Sequence, residues 1–153
     1  MTEPRWLTPA EERAWRAYRA MQTLLPARLA RDLAHDSGLS DPDYDVLSTI
    51  SEKPERRWQL RELAAKMLWS RSRLSHHIAR MQERGLVTRE DDPDDRRGCM
   101  IVLTEHGLAT LQAAAPAHVA SVRRHLIDQL DPDELATLTR IAERVTSNLE
   151  TRP

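Results

Sequence analysis

Between Ser70 and Gly98 the chain gathers side chains that can grip phosphates and read the edges of bases. Ser70, Arg71, Ser72, Arg73, Ser75, His76, His77 and Arg80 stand close together, and Asp94-Asp95-Arg96-Arg97-Gly98 follows a little further on. A guanidinium can fork onto guanine O6 and N7 or hold a phosphate, and Ser and His can donate to either. An arginine at a hairpin tip suits a narrow minor groove, where the negative potential is greatest, and Asp95 can brace a neighbouring guanidinium. This is binding chemistry, and the catalytic readings are weaker. Ser75 adjoins His76-His77, but consecutive helical residues point in different directions, and neither an orienting acid nor an oxyanion-hole motif accompanies them. There is no Gly-rich phosphate loop, so no enzyme is expected.

Metal and redox chemistry fare little better. The six histidines are His35, His76, His77, His106, His118 and His125. No two are spaced i, i+4, and the adjacent pair diverges around a helix, so neither a metal site nor a cofactor is expected. Cys99 is the sole cysteine, which excludes an internal disulfide and suits a cytoplasmic protein. Its place in a predicted strand leaves two readings open, a buried structural thiol or a redox-responsive regulator.

Five elements or more must position these groups. Thr8-Pro-Ala-Glu11 is a capping box, and Ala14, Tyr18, Met21 and Leu25 continue it as one helical face. Pro26 should kink or briefly break that helix, which Ser37-Gly38 then stops. Asp41-Pro42 opens a second helix carrying Tyr44, Val46, Leu47 and Ile50. Leu60, Leu63, Ala64 and Met67 give a short third. Ser70 caps a fourth that runs to Gly85. On a helical wheel Leu74, Ile78 and Met81 of that fourth helix face inward. Ser72, His76 and Arg80 lie opposite, with Arg73 and His77 on one flank. Ser72, Arg73, His76 and His77 are therefore expected near base edges, and Arg71 and Arg80 near phosphates. Val87–Glu90 and Cys99–Thr104 have strand character, and the eight residues 91–98 between them read as a projecting loop. Two further helices follow, one from Thr104 bent at Pro116, the other opened by Asp131-Pro-Asp-Glu134.

The net charge of −1 hides an uneven distribution. Residues 56–98 carry eleven basic and seven acidic side chains, whereas both flanking segments are net acidic. Phosphate attraction depends on that local field. With 40% hydrophobic and 31% charged residues over 153 positions, the chain fits one globular, mainly α domain. No run of about 18 apolar residues exists, so no membrane partner is expected. The apolar stripes on residues 108–126 and 135–149 exceed what a small winged domain needs for its own core, which points to an interface with a second copy.

Leu63-Ala64 with Ser70-Arg71-Ser72, then Arg80-Met81-Gln82-Glu83-Arg84-Gly85-Leu86-Val87, Asp95-Arg96-Arg97-Gly98 and Val102-Leu103-Thr104-Glu105-His106-Gly107, resembles the MarR family of bacterial transcriptional regulators. The resemblance covers about residues 8–150. It implies an α+β winged helix–turn–helix of about six helices with a β-hairpin wing. Residues 41–104 would bind double-stranded DNA, and residues 8–36 and 105–150 would form a homodimer. It further implies a repressor on a pseudo-palindromic operator, with Ser70–Arg84 in the major groove, Arg97 in the minor groove and Asp95 as its brace. A small aromatic or anionic effector would sit near Trp15, Arg16, Tyr18, His35 and Tyr44, with Trp58 or Trp69 as further lining. The alternative is a winged domain used only for protein contacts, in which these arginines bind no specific sequence.

Overall fold

The structure, a computed structural model, describes residues 4–150. They fall into two compact units, one of residues Ala30–His118, the other of the residues up to Leu29 and from Val119 onward. The elements run α1 (Pro9–Ser37), α2 (Asp41–Ser51), β1 (Arg57–Gln59), α3 (Leu60–Met67), α4 (Arg71–Glu83), β2 (Val87–Asp92), β3 (Asp95–Leu103), α5 (Glu105–His125), a 3-10 turn (Ile127–Gln129) and α6 (Pro132–Glu150).

Helix starts follow the side-chain caps written in the sequence. Thr8 and Glu11 exchange backbone bonds of 2.8 and 3.3 Å, and Asp131 and Glu134 do the same at 2.9 and 2.8 Å. Ser40 and Asp43 close a third box, so α2 is capped one residue earlier than Asp41-Pro42 suggests. Each reciprocal pair satisfies amide donors that have no partner inside the helix. Pro26 does not break α1, which continues for 29 residues. Proline there removes only its own donor, and the many remaining bonds of a long helix carry the turn.

The core of the Ala30–His118 unit is built where the period of the sequence puts it. Val46, Leu47 and Ile50 from α2 meet Leu63 from α3, Leu74, Ile78 and Met81 from α4, and Val87, Ile101 and Leu103 from the sheet. Full burial of each such side chain contributes about 1.5–3 kcal/mol, so α4 is held by three anchors on one face while the other stays in solvent.

The wing differs from expectation. Instead of an eight-residue loop, β2 and β3 pair out to Asp92 opposite Asp95, leaving only Pro93-Asp94 as the turn, with an irregularity at Asp91/Asp92. The acids that read as loop formers are turn caps: Asp92 Oδ1 accepts from the Asp94 amide and Asp95 Oδ1 from the Arg97 amide, both at 3.0 Å. Gly98 leaves room for the Asp92 carboxylate, since a Cβ there would lie 2.8 Å from Asp92 Oδ2. A third strand, β1, pairs with β3 and gives the order β1-β3-β2. Arg57 of β1 reaches across to Glu90 of β2 at 2.6 Å.

Helix α5 runs unbroken through Pro116, and its residues from Val119 onward belong to the other unit. Trp15, Tyr18, Met21 and Leu24 of α1 and Ile141, Val145 and Leu149 of α6 are all exposed there.

Candidate nucleic-acid interface

Helix α4 begins at Ser70, whose Oγ accepts from the Arg73 amide at 3.1 Å. This cap fixes the first turn and turns Arg71 and Ser72 toward solvent with the positive end of the helix dipole behind them, a natural phosphate seat. Ser72, Arg73, His76 and Arg80 are exposed, as the wheel predicts; Arg71 is exposed too, and Ser75 is half-buried. On the wing Arg96 and Arg97 are exposed and Asp95 is half-buried. Arg71 and Arg97 border one small cleft of about 200 Å3, together with Arg61 of α3. The fold thus brings three guanidinium-bearing residues from the helix start, the wing and α3 to one surface. Arg61 was not legible as a site residue, because only the packing of wing against α3 gives it that position.

Asp95 braces Arg97 differently from the sequence-based expectation. Its carboxylate holds the Arg97 backbone amide, so the tip is ordered and the guanidinium stays available. A second tie links the wing and α4. Arg89 on β2 donates to the Ser75 carbonyl and, at 3.1 Å, to Ser75 Oγ. Ser75 therefore helps fix the wing to the helix, a role its spacing did not suggest.

His77 is the clearest correction. Expected on the base-reading flank, it is buried at 8% exposure, so it does not face a groove. Its Nδ1 accepts from Arg80 at 2.9 Å, which places the ring proton on Nε2, 3.0 Å from Asp43 Oδ1. Asp43 Oδ2 in turn accepts from Arg84 at 2.8 Å. Burial would raise the Asp43 carboxyl, but Arg84 and the Ser40 amide outweigh it and hold it below the ordinary value. Burial, aided by Arg80 and Arg84, pushes His77 below its ordinary 6.5, against the pull of Asp43. A depressed histidine contributes stability that is present above its unfolded value and lost as pH falls through the folded one. The thermal midpoint is therefore expected to fall as pH drops from about 7 to 5, and His77→Gln to flatten that slope. The same slope in both proteins would show that His77 carries none of it. His35, raised by Asp36, works in the opposite direction and is common to both proteins.

The remaining expectations are scattered. Trp15 and Tyr18 stack at 5.9 Å, and Arg16 bonds Glu12 at 2.6 Å. Trp15 and Arg16 line an open groove of about 760 Å3 with Trp6, Leu7 and Leu24. His35 pairs instead with Asp36, and Tyr44 tilts over His118 at 4.3 Å; neither lines that groove. Burial raises the Cys99 thiol, the wrong direction for a reactive thiolate. Among the described residues no group of three or more His, Cys, Asp or Glu is placed to hold a metal ion, and no helix is long and apolar enough to cross a membrane.

A short helix, a tight turn, an arginine-bearing helix and a basic-tipped hairpin, braced together, define a winged helix–turn–helix DNA-binding protein. A MarR family profile matches residues 37–98. The transcriptional regulator HosA of Escherichia coli O111:H- is 30% identical over 131 residues, covering 85% of this chain and 94% of its own. AbsC, a MarR family transcriptional regulator from Streptomyces coelicolor, superposes with a TM-score of 0.90 at 43% identity, over 97% of this chain and all of AbsC. Sco3205, a MarR family regulator of the same organism solved in complex with DNA, does so with a TM-score of 0.90 at 41% identity, over 97% of this chain and 93% of its own. The chain belongs to the MarR family of transcriptional regulators, and it is not an enzyme.

Proposed function

We propose that this regulator is a repressor that binds a pseudo-palindromic operator as a homodimer, through residues 41–104 of each copy. The α4 residues Ser72, Arg73 and His76 read base edges in the major groove. Arg71, Arg80 and the start of α4 hold phosphates, and Arg97, flanked by Arg96, enters the neighbouring minor groove. Residues 8–36 and 105–150 supply the dimer contacts.

What most supports the dimer is apolar surface left open in a single chain. Leu7, Trp15, Leu24, Val145 and Leu149 are each about half exposed or more. Such faces are costly in water and are covered in stable assemblies. Two reading helices related by a twofold axis then meet successive major grooves, roughly 34–36 Å apart. An aromatic or anionic ligand that releases the operator has aromatic rings and cations available in the groove of Trp15, Arg16 and Arg19.

The test is sedimentation at micromolar concentration, followed by footprinting on a duplex selected from a random pool. A particle of twice the chain mass that protects two major-groove segments one turn apart is expected. A single-chain particle, or one protected segment, would contradict the dimer. Deleting the gene should raise transcription next to the operator, and a fall would contradict repression.

A further inference from the structure

Trp69, expected in the core or as further lining for an effector, lies between the turn at Leu68 and the cap at Ser70. Leu68 adopts a left-handed backbone (φ 55°, ψ 35°), and the Trp69 amide bonds the Ala64 carbonyl at 2.9 Å. The indole is half-buried against the core of the Ala30–His118 unit. Two partners flank it. The guanidinium carbon of Arg73 rests 3.9 Å from the ring centroid, and His77 meets the indole edge-on, with centroids 5.7 Å apart and planes at 86°. His77 itself accepts from Arg80, and its Nε2 lies 3.0 Å from Asp43 Oδ1. Among the described residues Arg73 makes no side-chain hydrogen bond, and Asp45 attracts it only through space, so its N–H donors are uncommitted while the indole supports the guanidinium.

We propose that Trp69 is a positioning residue for base recognition. It presents Arg73 as a pre-ordered fork toward the major groove, and His77 and Asp43 hold it from behind. The inference rests on the operator reading above. A free arginine loses side-chain entropy when it binds, and one already stacked loses less. A cation–π contact of this kind is worth about 0.5–2 kcal/mol, which corresponds to a few-fold to about thirtyfold in binding. Because the fork is what a guanine recognises, the contribution belongs to base preference more than to general affinity.

The experiment compares the full-length wild type with Trp69→Leu, Trp69→Tyr, Arg73→Ala, Arg73→Lys and the Trp69→Leu/Arg73→Ala double variant. Each is titrated onto the selected duplex, its single base-pair variants and random DNA. Trp69→Leu is expected to relax preference at the same base pair in each half-site as Arg73→Ala, by about three- to tenfold, with random DNA bound nearly as before. The double variant should lose little beyond Arg73→Ala, and Trp69→Tyr, which keeps a ring face, should retain the preference. Arg73→Lys tests the fork without touching the core and should also lose it. Intact base preference in Trp69→Leu, additive losses in the double variant, or full preference in Arg73→Lys would each overturn the proposal. A wild type that binds selected and random DNA alike would instead overturn the operator reading itself.

Discussion

Alanine at Gly107 is expected to lower the thermal midpoint by about 10 °C, the largest stability loss from any single added methyl group considered in this fold. Gly107 is buried in the first turn of α5, and a Cβ there would stand 2.0 Å from the Leu86 carbonyl oxygen and 2.8 Å from Leu103 Cδ1. The obstacle is backbone, and that backbone is pinned. The Leu86 carbonyl accepts from the Thr104 amide at 3.2 Å, and Thr104 Oγ1 lies 2.6 Å from the Gly85 carbonyl and accepts from the Gly107 amide at 2.9 Å. Relief of the clash must open the corner where α4, β2 and α5 meet. Overpacking costs about 1–3 kcal/mol when side chains can yield, and a fixed carbonyl puts this site at or above the upper end. Against a total of roughly 5–15 kcal/mol, that is a large share of the stability. Gly38 is the control. Its φ of +71° strains an alanine, but nothing lies within 4 Å, so Gly38→Ala should cost only about 1–2 kcal/mol. Calorimetry on both variants decides the point, and a Gly107→Ala midpoint within 2 °C or so of wild type would mean that the corner yields easily.

The second large effect is on recognition. Arg97→Ala is expected to weaken binding to a selected duplex by about tenfold or more, with a smaller loss on random DNA. The tip orders the backbone that carries this side chain. Asp92 and Asp95 cap the two-residue turn, Gly98 admits the Asp92 carboxylate, and Arg97 itself stays exposed. A guanidinium carried on an ordered backbone inserts into a narrow groove at lower entropic cost than one on a free loop. Arg71→Ala should behave differently, weakening all sequences to a similar extent, since a phosphate contact carries no sequence information. Anisotropy titrations of both variants on both duplexes separate these roles. Equal losses on selected and random DNA for Arg97→Ala would assign Arg97 to the backbone instead.

Much of this was legible before the fold was seen, for local reasons. Capping pairs at Thr8/Glu11, Ser70 and Asp131/Glu134 act within one turn, so the sequence carries them whole. Leu74, Ile78 and Met81 declare the inner face of α4 by period alone. What was hidden depends on partners distant in the chain. β1 is three residues, Arg-Trp-Gln, with no alternation to show it, and it exists because β3 offers an open edge. The paired wing tip was masked because aspartates that cap a tight turn look the same as aspartates of a loose loop. His77 looked like a flank residue until Asp43, thirty-four positions earlier, came to lie beside it. Arg61, Arg89 and Trp69 earn their roles only through the packing of wing, turn and reading helix.

The central claim is that α4 and the wing together read a DNA sequence. Its most direct test is the affinity of the wild-type protein for selected and random duplexes across about 50–200 mM salt. A preference of at least about a thousandfold for the selected duplex is expected, with affinity for both falling steeply as salt rises. Equal affinity for the two duplexes at every salt concentration would contradict it.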